Sequence, residues 1–281
     1  KMILIDMNQI ALASLMMNTK MNNSKTIDDS MVRHMILNSI RMYRKEYHSE
    51  YGEVVLTWDS KHSWRRDYYP EYKAGRRKNR EGDKDFWDNV FSVLNKIRSE
   101  IKENFPYKYL EVFGAEADDI IGFLCEENKD EKIMIISGDK DFIQLQKYPN
   151  VTQWSPITKK YVNGFDPTIY LKEHILKGDT SDGVPNVLSP DNTFVDGLRQ
   201  RPLTRKKIQS WLIGGGSDWN DEVKRNFQRN STLIDLSRTP EELKNQIRLE
   251  YNNAPHGDRS KLLNYFMQNK LKELTENIGE F

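Results

Sequence analysis

In the first half of the chain, short apolar runs of strand length alternate with longer stretches in which apolar residues return every three or four positions. MILID (2–6), VVLTWD (54–59), YLEVF (109–113) and KIMIIS (132–137) read as buried strands, and VTQW (151–154) as a shorter one. Between them, residues 30–47 place Met31, Met35, Ile36, Ile40 and Tyr43 on one helical face. Residues 86–101 do the same with Phe86, Val90, Leu94, Ile97 and Ile101. Strand then helix, repeated, predicts an α/β fold with a mainly parallel central sheet flanked by helices.

After about residue 163 the strand pattern stops. Asp166 before Pro167 marks a helix start, with Gly178 as its end, and Thr239, Pro240 and Glu242 repeat the start signal with a capping box. Residues 214–217 form a glycine-rich turn. The pattern divides the chain into an α/β unit over 1–162 and a C-terminal helical lobe over 163–281.

Acidic residues sit where these strands end. Asp6 closes the first strand and Asp59 the second; Glu116, Asp118 and Asp119 follow the third, and Asp139 and Asp141 the fourth. In an open parallel sheet, the carboxyl ends of the strands form the ligand crevice. A single Asp at a strand end serves more often as a turn or cap residue. Acids from four segments directed to one crevice call for a compensating cation, and oxygen-only ligands suit Mg²⁺ or Mn²⁺. On a helix starting near Glu116, residues three apart share a face, so Glu116 and Asp119 point together and Asp118 lies about 100° away. In KGDTSDGVPN (177–186), Asp179 and Asp182 flank a turn after a helix C-terminus, where the dipole disfavours negative charge. An Asx turn would explain them locally; a second cation position would explain both.

Composition changes this picture little. In 281 residues, 43 Lys and Arg balance 42 Asp and Glu, so net charge does not point to a polyanionic partner. The single Cys125 excludes an intramolecular disulfide framework and fits a reducing, cytoplasmic setting. No apolar run reaches the roughly 18 residues of a membrane span. Charge distribution is more informative. KHSWRRDYYPEYKAGRRKNREGDK (61–84) interleaves basic residues with Trp64, Tyr68, Tyr69 and Tyr72, a combination suited to phosphate contact and base stacking on a single strand. RQRPLTRKKIQSW (199–211), with Thr204 as an N-cap, presents Arg205, Lys206 and Lys207 to a duplex backbone.

Asp6 in LIDMNQIAL, Asp59 in LTWDS, EYK (71–73), EADD (116–119), SGDKDFIQL (137–145) and GDTSDGVPN (178–186) occur in the order of the flap endonuclease and 5′-nuclease family. The chain resembles that family over nearly its whole length, in particular the ribonuclease H (5′ nuclease) group of T-even-like bacteriophages. The resemblance implies a PIN-like nuclease domain with a basic arch or clamp at about 61–100, and a helix-hairpin-helix-like element in the helical lobe. It implies two Mg²⁺ ions, for which Mn²⁺ can substitute. Asp6, Asp59, Asp118 and Asp139, with Glu116 and Asp119 nearby, would surround the first, and Asp141, Asp179 and Asp182 the second. Lys73, Asp118 and Asp139 would stand nearest the chemistry. Tyr72 and Lys73 match the base of the arch, with Arg66, Arg76, Arg77, Lys78 and Arg80 lining it. The implied substrates are RNA–DNA and DNA duplexes with 5′ ends or flaps, cut by a monomer; a single-strand-binding protein and a sliding clamp are implied partners. One departure stands out: where many family members carry a glycine-rich hairpin, this chain reads GVPNVLSPDNTFVDG.

Two other readings stay open on the residues alone. A haloacid-dehalogenase-like phosphatase also places acids at strand ends, although Asp6-Met7-Asn8 lacks its Asp-x-Asp. A non-catalytic nucleic-acid-binding module would keep the basic run without needing the acids. Cys125 and the methionines at 16, 17, 31 and 35 read as core, and the five histidines show no paired metal-ligand spacing.

Overall fold

A computed structural model describes residues 1–281 apart from Ser24, with the side chains of all but Arg77, Lys78 and Asn79. Strand β1 (Met2–Asp6) leads into helices α1 (Met7–Met21) and α2 (Asp29–Tyr51), and β2 (Val54–Thr57) into α3 (Trp64–Tyr68), α4 (Ala74–Glu81) and α5 (Lys84–Asn104). Then come β3 (Lys108–Leu110), α6 (Ala117–Glu127), β4 (Ile133–Ile136), a 3₁₀ segment (Lys140–Lys147), β5 (Val151–Ser155) and β6 (Lys160–Tyr161). The remainder is helical: α7 (Pro167–Lys177), α8 (Arg205–Gly214), α9 (Asp221–Ile234), α10 (Glu241–Asn253), α11 (Leu262–Gln268) and α12 (Lys272–Glu276). All five expected strands form. The sheet runs β3-β2-β1-β4-β5-β6, parallel throughout except at β6, a short antiparallel edge strand that the sequence pattern missed.

Both faces of the sheet are covered, which explains why β1, β2 and β4 are buried at every position instead of alternating. Ile3, Ile5, Val54, Leu56, Met134 and Ile136 enter one core, against residues of α1, α2, α5, α11 and α12. Met2, Leu4, Val55, Ile133 and Ile135 enter the other, against α6, the 3₁₀ segment and α10. Residue 162 therefore marks where the long strands end, not where packing does. Phe266, Leu274 and the terminal Phe281 are fully buried in the first core, and Leu243 and Ile247 lie in the second. Helices α7, α8 and α9 build two smaller clusters, one around Ile175 and Leu233 that also takes in Tyr69 and Tyr72, and one around Trp211 and Val223.

Several local expectations change. Helix α2 buries Val32, Ile36, Leu37 and Ile40 and leaves Met31 42% exposed. Met17 on α1 is also outside the core, at 57%. A methionine is flexible enough to lie on either side of an apolar stripe, so the branched residues fix the stripe's centre. Thr239 does not cap α10: the helix starts from Pro240, and the threonine hydroxyl donates 2.8 Å to Asp119 Oδ1. Cys125 is buried as expected, and no described helix is long and apolar enough to cross a membrane.

Helix α7 runs as expected from the Asp166 cap to Gly178, whose φ of 70° and ψ of −172° lie in a region open essentially only to glycine. A Cβ at this position would fall 2.3 Å from the carbonyl oxygen of Val184 and 2.5 Å from that of Pro185. The close approach folds residues 179–184 back on the helix end, where Asp179 and Val184 exchange backbone hydrogen bonds of 2.8 Å. Gly178→Ala should therefore lower stability by about 2–4 kcal/mol in urea unfolding. A wild-type midpoint would show that the turn relaxes freely.

Candidate active site

The strand order reverses between β1 and β4, and at such a switch point the connections leave in opposite directions and open a crevice. Asp6 ends β1 there and also caps α1, accepting 3.3 Å from Gln9 N, while Ser137 Oγ donates 2.9 Å to its other oxygen. Asp59, beyond β2, accepts 2.8 Å from Ala117 N at the start of α6. Asp139 caps the 3₁₀ segment, accepting 2.9 Å from Asp141 N. This local bond is what the two-residue spacing in GDKD produces: one aspartate aims the next. Among the described residues, Asp118, Asp139 and Asp141 each bring a carboxylate oxygen within 4.8 Å of the others.

These acids oppose one another's ionisation. Burial, then Asp59, pushes the Asp6 carboxyl up to about 7. Burial and the neighbouring Asp139 and Glu116 hold Asp118 well above the usual range. Asp141 is pushed up to about 7 by burial and Asp139. Half-buried oxygen donors that repel each other in this way fit one or more divalent cations, whose charge would remove the conflict.

The EADD motif divides between two tasks. Glu116 caps α6 and forms a reciprocal capping box with Asp119. Asp119 is fully buried and faces away from the crevice toward Arg65, whose Nη1 and Nη2 each lie 2.9 Å from its oxygens. It also accepts from Trp64 Nε1, Glu116 N and Thr239 Oγ1. With its lone pairs taken, Asp119 is not available to a cation, contrary to the sequence expectation. Glu116 is likewise engaged, by Arg65 at 3.0 Å and Lys73 Nζ at 2.5 Å. Burial raises its carboxyl, but Lys73 and Arg65 outweigh burial and hold it at about 2. Only Asp118 of this motif is directed at the cluster.

The basic run also divides. Arg65, missed from sequence, is 2% exposed and donates 2.8 Å to the Leu233 carbonyl as well as to its two carboxylates. Tyr72 is a correction: it is buried, with its hydroxyl between Glu116 Oε2 at 2.9 Å and Asp182 Oδ2 at 3.0 Å, so its ring is not presented for stacking. Tyr69 is buried as well, donating 2.6 Å to the Asp191 carbonyl. Lys73 has a left-handed backbone, φ 56°, and its N–H donates 2.7 Å to the Asp182 carbonyl. Burial lowers its ammonium pKa, but Asp182 and Glu116 outweigh burial and keep it charged.

Arg66, Lys73, Arg76 and Arg80 line a cleft of about 880 Å³ that reaches Asp59 and Glu116. On its wall, the Arg80 guanidinium stacks 5.1 Å from the Trp87 ring and 5.0 Å from Phe91. The side chains of Arg77 and Lys78 lie outside the described part of the structure. Arg205, Lys206 and Lys207 are exposed on the first turn of α8, where Thr204 caps as expected.

Across the crevice, Asp179 joins Asp141, but Asp182 pairs with Arg76 at 2.5 Å and stands 3.7 Å from Lys73. The third group beside Asp141 and Asp179 is His174, with ring nitrogens 3.3 Å and 3.5 Å from their oxygens. Burial pushes the Asp179 carboxyl up, but His174 and Ser181 outweigh it and hold the group well below the usual range. The sequence signal was HILKGD, a histidine one turn before a helix end and an acid just beyond it; only the Gly178 turn brings them together.

Residues 1–174 match the family described as the 5′-3′ exonuclease, N-terminal resolvase-like domain, and residues 166–281 match T4 RNase H, C terminal. The chain belongs to this 5′-3′ exonuclease family, which sets aside the phosphatase reading. It is 36% identical to the Ribonuclease H of Enterobacteria phage T4, across 99% of this chain and 95% of that protein. With the flap endonuclease Xni of Shewanella sp. (strain MR-4) it shares 29% identity over 48% of this chain and 52% of the relative. Its fold is similar to that of the T5 D15 protein co-crystallized with metal ions, with a TM-score of 0.63 at 18% identity, covering 89% of this chain and 98% of that one. A T5 D15 flap endonuclease complex with DNA and metal ions gives a TM-score of 0.62, also at 18%, over 89% and 97% of the two chains.

The Arg65 cluster is open to direct test. Arg65→Met would leave Asp119 and Glu116 buried without their guanidinium and should lower stability by about 3–5 kcal/mol in urea unfolding. A loss under about 1 kcal/mol would mean that backbone donors alone hold these acids.

Proposed function

We propose that the chain is a divalent-cation-dependent 5′ nuclease, using Mg²⁺ or Mn²⁺, that hydrolyses phosphodiester bonds at the 5′ ends of RNA–DNA and DNA duplexes and at 5′ flaps. In the cell it would remove RNA primers during lagging-strand replication, as a monomer in the host cytoplasm, beside a single-strand-binding protein and a sliding clamp. The observation that carries the reading is the meeting of Asp118, Asp139 and Asp141, with Asp6 near enough to oppose the ionisation of Asp118, beside a basic cleft that reaches Asp59 and Glu116. A pure binding module would have no use for clustered acids that repel each other and the phosphates alike.

Asp6, Asp59, Asp118, Asp139 and Asp141 would hold one cation, and Asp141 and Asp179 a second. Bound cations would supply the polarisation of water and the charge stabilisation that in-line phosphoryl displacement requires. The chain's own residues do the rest. Backbone N–H groups fix one oxygen of Asp59 and one of Asp139, so the carboxylates are set before substrate arrives. Arg66 and Arg80 attract the phosphates of a single strand along the cleft, and the rings of Trp87 and Phe91 offer faces for bases. Lys73, charged and anchored on Glu116, adds positive potential where the strand meets the acids. The exposed Arg205, Lys206 and Lys207 bind the duplex backbone.

Asp139→Asn should abolish Mg²⁺-dependent cleavage of a 5′-labelled flap or RNA-primed duplex, with the thermal melt little changed; near-normal turnover would sink the assignment. Lys73→Ala should lower the single-turnover rate about a hundredfold while substrate affinity falls only severalfold. A loss confined to affinity would make Lys73 a clamp.

A further inference from the structure

His174 lies on the last turn of α7 with its side chain 16% exposed, and the Gly178 turn brings Asp179 beneath it. One ring nitrogen, Nδ1, stands 3.3 Å from Asp141 Oδ1, and the other, Nε2, 3.5 Å from Asp179 Oδ2. One atom from each of the three residues falls within a 4.8 Å span. An octahedral ion with bonds of 2.0–2.1 Å separates adjacent ligands by roughly 3.0 Å and opposite ones by roughly 4.2 Å. The observed spacings need only a slight closing to reach that geometry. Whichever ring nitrogen turned to an ion, the other would keep a carboxylate partner of the kind that usually orients a ligating imidazole. Both nitrogens face acids that belong to the same proposed cation position.

We propose that His174 is a ligand of the second cation, giving that position a nitrogen donor beside the carboxylates of Asp141 and Asp179. The inference rests on the two-cation reading above and gives the two positions different chemistry. The first, built from the oxygens of Asp118, Asp139 and their neighbours, suits the hard Mg²⁺ ion. The second, with an imidazole, favours first-row transition ions over Mg²⁺. Asp141 stands in both groups, so the two ions would meet at a shared carboxylate.

The test uses Mn²⁺ alone, without nucleic acid. Calorimetry of the full chain measures how many Mn²⁺ ions bind, and pulsed electron paramagnetic resonance detects ¹⁴N coupled to bound Mn²⁺. The remaining histidines contact other groups: His34 faces Glu273, His48 the Gly52 carbonyl, His62 Asp67 and His256 the Ala254 carbonyl. The expected result is a clear ¹⁴N coupling in the wild-type protein. It should vanish in His174→Gln, with Mn²⁺ affinity at one position about tenfold weaker and Mg²⁺ affinity nearly unchanged. Bound Mn²⁺ without ¹⁴N coupling, or coupling that survives in His174→Gln, overturns the role of His174 and leaves the two-cation reading standing. Absence of Mn²⁺ binding overturns both. The wild-type spectrum decides the point even if the variant folds poorly.

Discussion

The structure depends first on one buried guanidinium. Arg65 meets Asp119 and Glu116 from α3 and reaches across to the Leu233 carbonyl at the end of α9, so three segments distant in sequence share a single cation. Taking charges out of water is costly unless they are paired and fully hydrogen-bonded, and here the planar fork of arginine matches both carboxylates. The consequence reaches the crevice. With Glu116 and Asp119 fixed on the inner side of α6, the intervening Asp118 is turned outward to Asp139 and Asp141. Glu116 in turn anchors Lys73 and Tyr72, which engage Asp182. Acids in this protein therefore fall into two populations, those neutralised by the protein and those left opposing one another.

Sheet order supplies the second constraint. Because the chain turns one way after β1 and the other way after β4, Asp6 and Asp139 emerge side by side with no helix between them. The long helical remainder does not stand apart from this sheet. Its α10, α11 and α12 complete the two cores, while α7 and the turn after it bring His174 and Asp179 beside Asp141. Both parts contribute side chains to one site.

Much of this could be read from the residues. Continuous apolar runs marked the buried strands, and acids at their ends marked the crevice, because backbone direction alone decides where a strand-terminal side chain goes. What escaped was decided by long-range partners. Asp118 and Asp119 are adjacent and chemically identical; helical phase separates them, but which one faces the crevice is decided by the partners of Asp119 in Arg65, Trp64 and Thr239. Arg65 itself sat in a run in which Lys61, Arg66, Arg76 and Lys84 are exposed. Tyr72 and Tyr69 carry the same rings as an exposed stacking platform but are turned inward by hydroxyl acceptors more than a hundred residues downstream in Asp182 and Asp191. His174 lacked a sequence partner at helical spacing, since its acid lies beyond a glycine turn. The edge strand β6 is two residues long and polar, too short for a periodic signal.

The hydrogen bond from Lys73 N to the Asp182 carbonyl has a different kind of consequence. It joins main chain to main chain, beside the point where a Cβ on Gly183 would come within 3.1 Å of the Glu71 carbonyl oxygen. No side-chain substitution can redesign such a joint, because its parts are the same in every residue and only their placement matters. EYK and GDTSDG thus behave as two halves of one clasp. In recombination between relatives, or in building chimaeras with a seam between the two sequence families near residue 170, the halves would arrive from different parents. The seam that looks natural in the sequence cuts through the unit that the backbone holds together.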